Sequence, residues 1–348
     1  MKNKFFLPLL LISLITMQIW FLYVAFHYEY YGVELKRNSQ HEWRISSFQS
    51  ESIRLKLGLQ VGDMIVKVND NDPDKNALFK KWAMLTQLDT ITVSRNGFEF
   101  QVPLIDKAQS SFDYISLFGE ILCFFISFLI FLKIPNSRSA RFLSLVFLIT
   151  GTIFMCIAPS ARSDSMAKVM ISSLLIILPL VFLHFLILFF KEKNAIQLPS
   201  RFLYYLYSIA VVTFIVRLSY LTPLDTYSLY LIDYFFVLLF FLFGLLLNIG
   251  MFLYVYFKYR RDNSSIQAII KIVWFALFIS CSPLVFLSFY PILLNDRPLL
   301  EPLYTGFFII FFPISFSYLI VTKQLYDINL ILRRILYTTL LSLFQALL

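Results

Sequence analysis

The sequence predicts a polytopic α-helical membrane protein: about eight complete transmembrane helices plus the start of another, with an extracytoplasmic α+β domain inserted after the first helix. Three observations carry this expectation. Of 348 residues, 59% are hydrophobic, 18% aromatic and only 15% charged, a balance that soluble domains do not show. Apolar runs long enough to cross a hydrocarbon core of roughly 30 Å recur along the chain. One interval alone, residues 27 to 112, has the mixed composition of a soluble domain.

The first run follows Lys2 and Lys4 and extends from Phe5 to Phe26. Its exit, Ala25-Phe26-His27-Tyr28-Glu29-Tyr30, lacks the small residues of a signal-peptide cleavage site, so residues 1–26 read as a retained anchor. A seven-helix bundle is expected over 113–322, with spans at about 114 to 132, 142 to 160, 169 to 190, 202 to 222, 231 to 257, 272 to 294 and 303 to 322. Residues 323–334, which include Arg333 and Arg334, are amphipathic at helical spacing and suit a cytoplasmic surface helix whose cations face anionic headgroups. Residues 335–348 open a further apolar run that is still apolar at Leu348, and read as the start of a truncated transmembrane helix in a partial product.

Orientation follows from counting cations. With a cytoplasmic N-terminus, 15 of the 30 Lys and Arg fall in inner loops, 4 in the short outer loops and outer helix ends, and 11 in residues 27 to 112. A stretch of that length is translocated regardless of charge, and the imbalance elsewhere favours an inside N-terminus. The net charge of +9 is therefore topological, and nucleic acid is excluded as the partner. Cys123, Cys156 and Cys281 lie in apolar runs, where a thiol is ordinarily a small hydrophobe.

Within the insert, Trp43 to Phe48 alternates as a half-buried strand, and Gln49 to Ser52 offers capping residues for a short helix through Leu57. Gly58 then suits the left-handed position after that helix, Gly62-Asp63 a tight turn, and Met64 to Val68 the next strand. Asn71-Asp72-Pro73-Asp74 precedes a helix expected near Lys75 to Leu88. Thr90 to Arg95, Asn96-Gly97 and Phe98 to Val102 form a hairpin with an Asn-Gly turn. The motif made by Gly58, Leu59, Gly62, Asp63, Ile65 and Asn69, with Arg95-Asn96-Gly97 after it, resembles PDZ domains of the bacterial, protease-associated type. That resemblance implies an α+β PDZ-like fold able to bind an extended peptide at a sheet edge, near Tyr31 to Leu35 in this chain. Glu34 would repel an anionic terminus there, and a PDZ fold kept as a rigid spacer is the alternative.

Chemistry has little to build on. There are three histidines, no His-Glu-x-x-His and no phosphate-binding glycine loop; no catalytic or metal-binding residues are expected. Charged and polar groups within spans are costly in lipid and face the bundle interior or a cavity. Glu120, His184, Arg217 and Asn248 are such groups. Glu120 and Arg217 share the outer half and either pair or line a pocket; interhelical bonding and snorkelling are the other reading. Prolines 179, 283, 291 and 313 are expected to kink their helices. Ligand-binding candidates are Glu120, His184, Arg217 and Asp225, the last within one of three outer loops, Pro159 to Asp164, Pro223 to Tyr230 and Asn295 to Pro302.

The anchor, the insert bearing Gly58-Leu59-x-x-Gly62-Asp63-x-Ile65, seven further spans and Tyr326-Asp327-Ile328-x-x-Ile331-Leu332 together resemble the membrane half of the ComP family of quorum-sensing pheromone-receptor histidine kinases. The resemblance covers essentially the whole chain. It implies a cell-membrane, homodimeric sensor for a secreted isoprenylated, ComX-like peptide pheromone in competence signalling. It further implies a cytoplasmic kinase that uses ATP and phosphorylates a ComA-like response regulator. No kinase domain lies in these residues, so ATP is no cofactor of this stretch. Two other classes stay open: an intramembrane protease that presents substrate on a PDZ-like domain, and a non-signalling scaffold or transporter.

Overall fold

The computed structural model describes residues 6–48, 51–104, 111–134, 136–192, 201–222, 227–258, 264–295, 298–300, 305–312 and 315. The expected surface segment 323–334, the run 335–348 and most of the expected eighth span lie outside them. The described chain is mostly helical, with one five-stranded sheet, and divides into two compact units.

The first unit joins residues 1–114 to 155–171 and 214–234. It opens with helix α1 (Phe6–His27), predominantly apolar. The sheet follows as an antiparallel meander, β1 (Val33–Arg37), β2 (Trp43–Phe48), β3 (Met64–Val68), β4 (Thr90–Arg95) and β5 (Phe98–Pro103), in the spatial order β1-β2-β3-β4-β5. Alternation builds its core: Ile91 and Val93 of β4 are fully buried, beside Val33, Leu35, Trp43, Ile45, Ile65 and Val68. Each such side chain contributes about 1.5–3 kcal/mol on burial. The hairpin turn has Asn96 at φ 52° and Gly97 at φ 83°, the left-handed pair that a two-residue connection requires.

Helix α2 (Glu51–Leu57) ends at Gly58, φ 65°, as the sequence predicts. The next helix departs from expectation. Asp72 caps a single 3₁₀ turn over Pro73–Lys75, and Asn76 then starts α3 (Ala77–Trp82) by accepting from the amides of Leu78 and Phe79. The helix stops six residues short of Leu88 because Ala83 is left-handed, φ 50°. Beyond it Ala83, Leu85 and Leu88 all enter the sheet core, at a spacing no helix face satisfies.

The second unit comprises residues 115–154, 172–213 and 235–348. Five segments are long and apolar enough to cross a membrane: α5 (Arg138–Ala161), α6 (Ser165–Glu192), α7 (Arg201–Arg217) extended by a 3₁₀ turn to Leu221, α8 (Tyr227–Lys258), and Lys271–Leu294. The last contains the end of α9 (Ser264–Pro283), a π-helical stretch over Leu284–Phe289, and most of α10 (Tyr290–Asn295). Two shorter apolar helical stretches, Ile12–His27 of α1 and Ser116–Leu132 of α4 (Ser111–Lys133), complete the set among the described residues.

Close helix approaches organise this unit. Asn248 donates from Nδ2 to the carbonyls of Pro179 (3.0 Å) and Gly244 (2.8 Å), and a methyl group on Gly244 would sit 2.7 Å from the Pro179 ring. Ser127 and Ser144 each donate to the other's carbonyl oxygen, at 2.8 and 2.9 Å, which clasps α4 to α5. Pro291 has no N–H for the Leu287 carbonyl, and that oxygen accepts from the amides of Leu299 and Leu300 instead, both at 2.9 Å.

Candidate functional site

The motif residues of the insert sit in its core and its turns. Asp63 is buried and accepts from Arg95 through both oxygens, from Nε at 2.8 Å and from the second guanidinium nitrogen at 2.7 Å, as well as from the Gln60 amide at 2.7 Å. Arg95 also donates to the Gly58 carbonyl, so one guanidinium ties the β4–β5 hairpin to the turn, and the Asp63 partner holds its pKa above the usual arginine value. The Gly62 amide donates to the Ile45 carbonyl, Leu59 and Ile65 are core residues, and Asn69 accepts from the amides of Asp89 and Thr90. The edge of β1 is partly taken: Glu34 bridges Met84.

Ala83 sends the chain onto the turns between helices, and the polar and aromatic groups of the first unit gather there. The centre is the α5–α6 turn, Arg162-Ser163-Asp164-Ser165, whose first three residues are buried. Arg162 donates to the Tyr28 carbonyl at 2.6 Å, and its own carbonyl accepts from Gln87 Nε2 at 2.8 Å. The hydroxyls of Ser163 and Thr86 are hydrogen-bonded. Asp164 caps α6 by accepting from the Ala167 amide at 2.7 Å, while its other oxygen accepts from the Trp20 indole at 2.9 Å. Ser165 accepts from the Trp82 indole at 3.3 Å.

An aromatic group stands beside this turn. The Trp82 ring meets Tyr230 edge-on at 4.9 Å and Tyr220 at 5.7 Å, and Lys168 Nζ lies 5.1 Å from the Trp82 ring and 5.6 Å from that of Tyr230. Lys81, next to Trp82, is buried and donates to the carbonyls of Tyr220 and Thr222; burial lowers its pKa from the usual lysine value. A second contact joins Trp43 to Tyr227, rings at 5.4 Å.

The four sequence candidates divide between the units. Arg217 is fully buried at the end of α7 and pairs with Asp233 of α8 through two bonds of 2.8 and 2.7 Å. The carboxylate it meets is that of Asp233, near the start of α8. Glu120 is buried on α4 in the second unit. There too His184 packs at a tilt against Phe142, rings at 4.0 Å, with the Tyr207 hydroxyl 3.4 Å from Nδ1. Asp225 lies outside the described residues. Among the described residues no group of His, Cys, Asp and Glu is placed to hold a metal ion.

Sequence reasoning passes over Asp233, Trp82 and Lys81; it marks Pro159 to Asp164 as an outer loop, but not the hydrogen bonds that Arg162 to Ser165 make. Asp233 carried a readable signal, a carboxylate inside the expected span 231 to 257. The others belong to a soluble-looking interval or a short loop, where no periodicity marks them.

The chain is 23% identical to the sensor histidine kinase ComP of Bacillus subtilis (strain 168) over 375 aligned positions. The alignment takes in all of this chain and 45% of the relative, so the chain spans about half the relative's length. No family model matches the chain, and no solved structure does.

Proposed function

We propose that this chain is the membrane sensor region of a two-component histidine kinase, and that its ligand is a secreted, isoprenylated peptide. The observation that carries the first part is the end-to-end similarity to a sensor histidine kinase, which takes in the soluble insert as well as the spans. The long apolar helices agree with a membrane location, and the excess of Lys and Arg in alternate loops is what supports a multi-pass reading with the N-terminus cytoplasmic and the sheet domain outside.

The ligand class rests on chemistry. An isoprenoid partitions into the bilayer, where each buried methylene contributes about 0.8 kcal/mol, and reaches the site laterally among aromatic side chains. Binding then changes output only through unequal affinity for two arrangements of the helices. The sheet domain is PDZ-like in this reading, but as a docking piece: the bridge from Glu34 to Met84 leaves little room for a peptide along β1. A serine protease would need a hydroxyl nucleophile beside His184, and the polar neighbour there is the Tyr207 phenol.

The test is a chimera of residues 1–348 with the kinase-bearing remainder of the Bacillus subtilis relative, assayed in membranes for autophosphorylation. A synthetic farnesylated peptide should alter the rate in a saturable way, and the same peptide without its lipid should act far more weakly. Autophosphorylation that ignores both peptides would overturn the ligand assignment; a chimera with no kinase activity at all would overturn the sensor assignment.

A further inference from the structure

We propose that Lys81–Gln87 on the sheet domain and Arg162–Ser165 between α5 and α6 form a releasable latch, whose opening and closing passes the state of one side to the other. The proposal rests on the sensor reading only for the identity of the stimulus.

The composition of the contact is the first reason. The sheet domain encloses its own core, from Val33 to Val102. What Lys81 to Gln87 adds is a small apolar cluster, Trp82 with Val169 and Tyr220, ringed by polar contacts: the Lys81 ammonium on two carbonyls, the Trp82 indole on Ser165, the Thr86 hydroxyl on Ser163 and the Gln87 amide on Arg162. The hydrogen bonds among these are exchanged for water at little net cost, and the apolar cluster at the seam is far smaller than the sheet domain's own core. The domain therefore remains folded when the segment lets go.

The second reason is backbone strain. Ala83 at φ 50°, Gln87 at φ 59° and Ser163 at φ 63° all lie in the left-handed region without being glycine. Ala83 and Gln87 lie on either side of Thr86 and Ser163 is its partner, and each is held in a conformation that a Cβ disfavours. Strain concentrated at one seam, from both partners, relaxes when the seam opens.

The third reason is charge. Lys81 and Lys168 are both buried at the seam, the latter against the faces of Trp82 and Tyr230. Closure removes two ammonium groups from water and returns carbonyls and ring faces; opening returns them to solvent. Large terms of opposite sign leave a small difference between the two states, which is what a modest stimulus can tip.

Two measurements on the full chain in membranes test this. In the first, a thiol introduced by Thr86→Cys reports the seam through its rate of maleimide labelling. In the parent background it should be protected, and adding Lys81→Met or Trp82→Phe should each speed labelling by about tenfold. Unchanged labelling in both variants overturns the latch whatever any ligand does. In the second, the pair Thr86→Cys and Ser163→Cys is oxidised in the kinase chimera. The cross-linked protein should lose its change in autophosphorylation on adding the farnesylated peptide, and reduction should restore it. A cross-linked protein that responds like the reduced one overturns the latch. A chimera unresponsive in both redox states, with labelling still accelerated in the variants, keeps the latch and removes the peptide as its stimulus.

Discussion

At the scale of single residues, Arg217 shows how membrane burial selects partners. Its guanidinium is fully buried and survives there because Asp233 meets it with two parallel hydrogen bonds. Removing one partner strands the other charge, so Arg217→Met or Asp233→Asn alone should cost about 3–5 kcal/mol, while the double substitution should recover much of that loss. Thermal unfolding of the four proteins in detergent measures the cycle. Lys81 offers a pH signature of the same sign as the usual paired carboxylate and opposite to that of a lysine held by an acidic partner. Burial lowers its pKa in the folded protein below the ordinary 10.5, so between the lowered value and 10.5 the unfolded chain holds more protons than the folded one. Stability relative to Lys81→Met should therefore rise with pH across that window and be flat below it, as seen by comparing melting temperatures of the two proteins from pH 7 to 10.5.

Among elements, close approach decides which glycines matter. Gly244 and Gly250 lie on α8 six residues apart, and composition does not distinguish them. A methyl group on Gly244 meets the rigid Pro179 ring at 2.7 Å, whereas one on Gly250 meets nothing within 4 Å. Gly244→Ala should destabilise by about 1–3 kcal/mol through forced separation of α6 and α8. Gly250→Ala should be neutral or stabilising by up to about 1 kcal/mol, from helix propensity alone. The same contrast explains which elements were legible in advance. Strands β2 to β5 and the Asn96-Gly97 turn carry a period of two and a specific dihedral demand, both written locally. The helix expected from Lys75 to Leu88 was not, because its second half obeys the sheet core and the turn at Arg162, partners distant in sequence.

For the molecule as a whole, topology is the first property to establish. Lys67 is exposed on β3 and remote from the seam residues in sequence. With the N-terminus inside and the sheet domain outside, Lys67→Cys in intact cells should react with a membrane-impermeant maleimide, and a thiol placed at Lys191 should react only after permeabilisation. The reverse pattern would invert the orientation and move the sheet domain to the cytoplasm.

Composition and period by themselves determined that this chain is built of apolar helices around one soluble insert, because hydrocarbon length and strand alternation are local constraints that each segment meets alone. They determined as well which in-span charges would need company. The identity of that company, Asp233 for Arg217, was decided only by the tertiary structure, as were the carbonyls around Lys81 and the aromatic faces beside Lys168, two lysines that no span pattern marks. The physical reason is that a buried charge must be compensated by whatever atoms folding brings within hydrogen-bond range, and sequence distance does not measure that range.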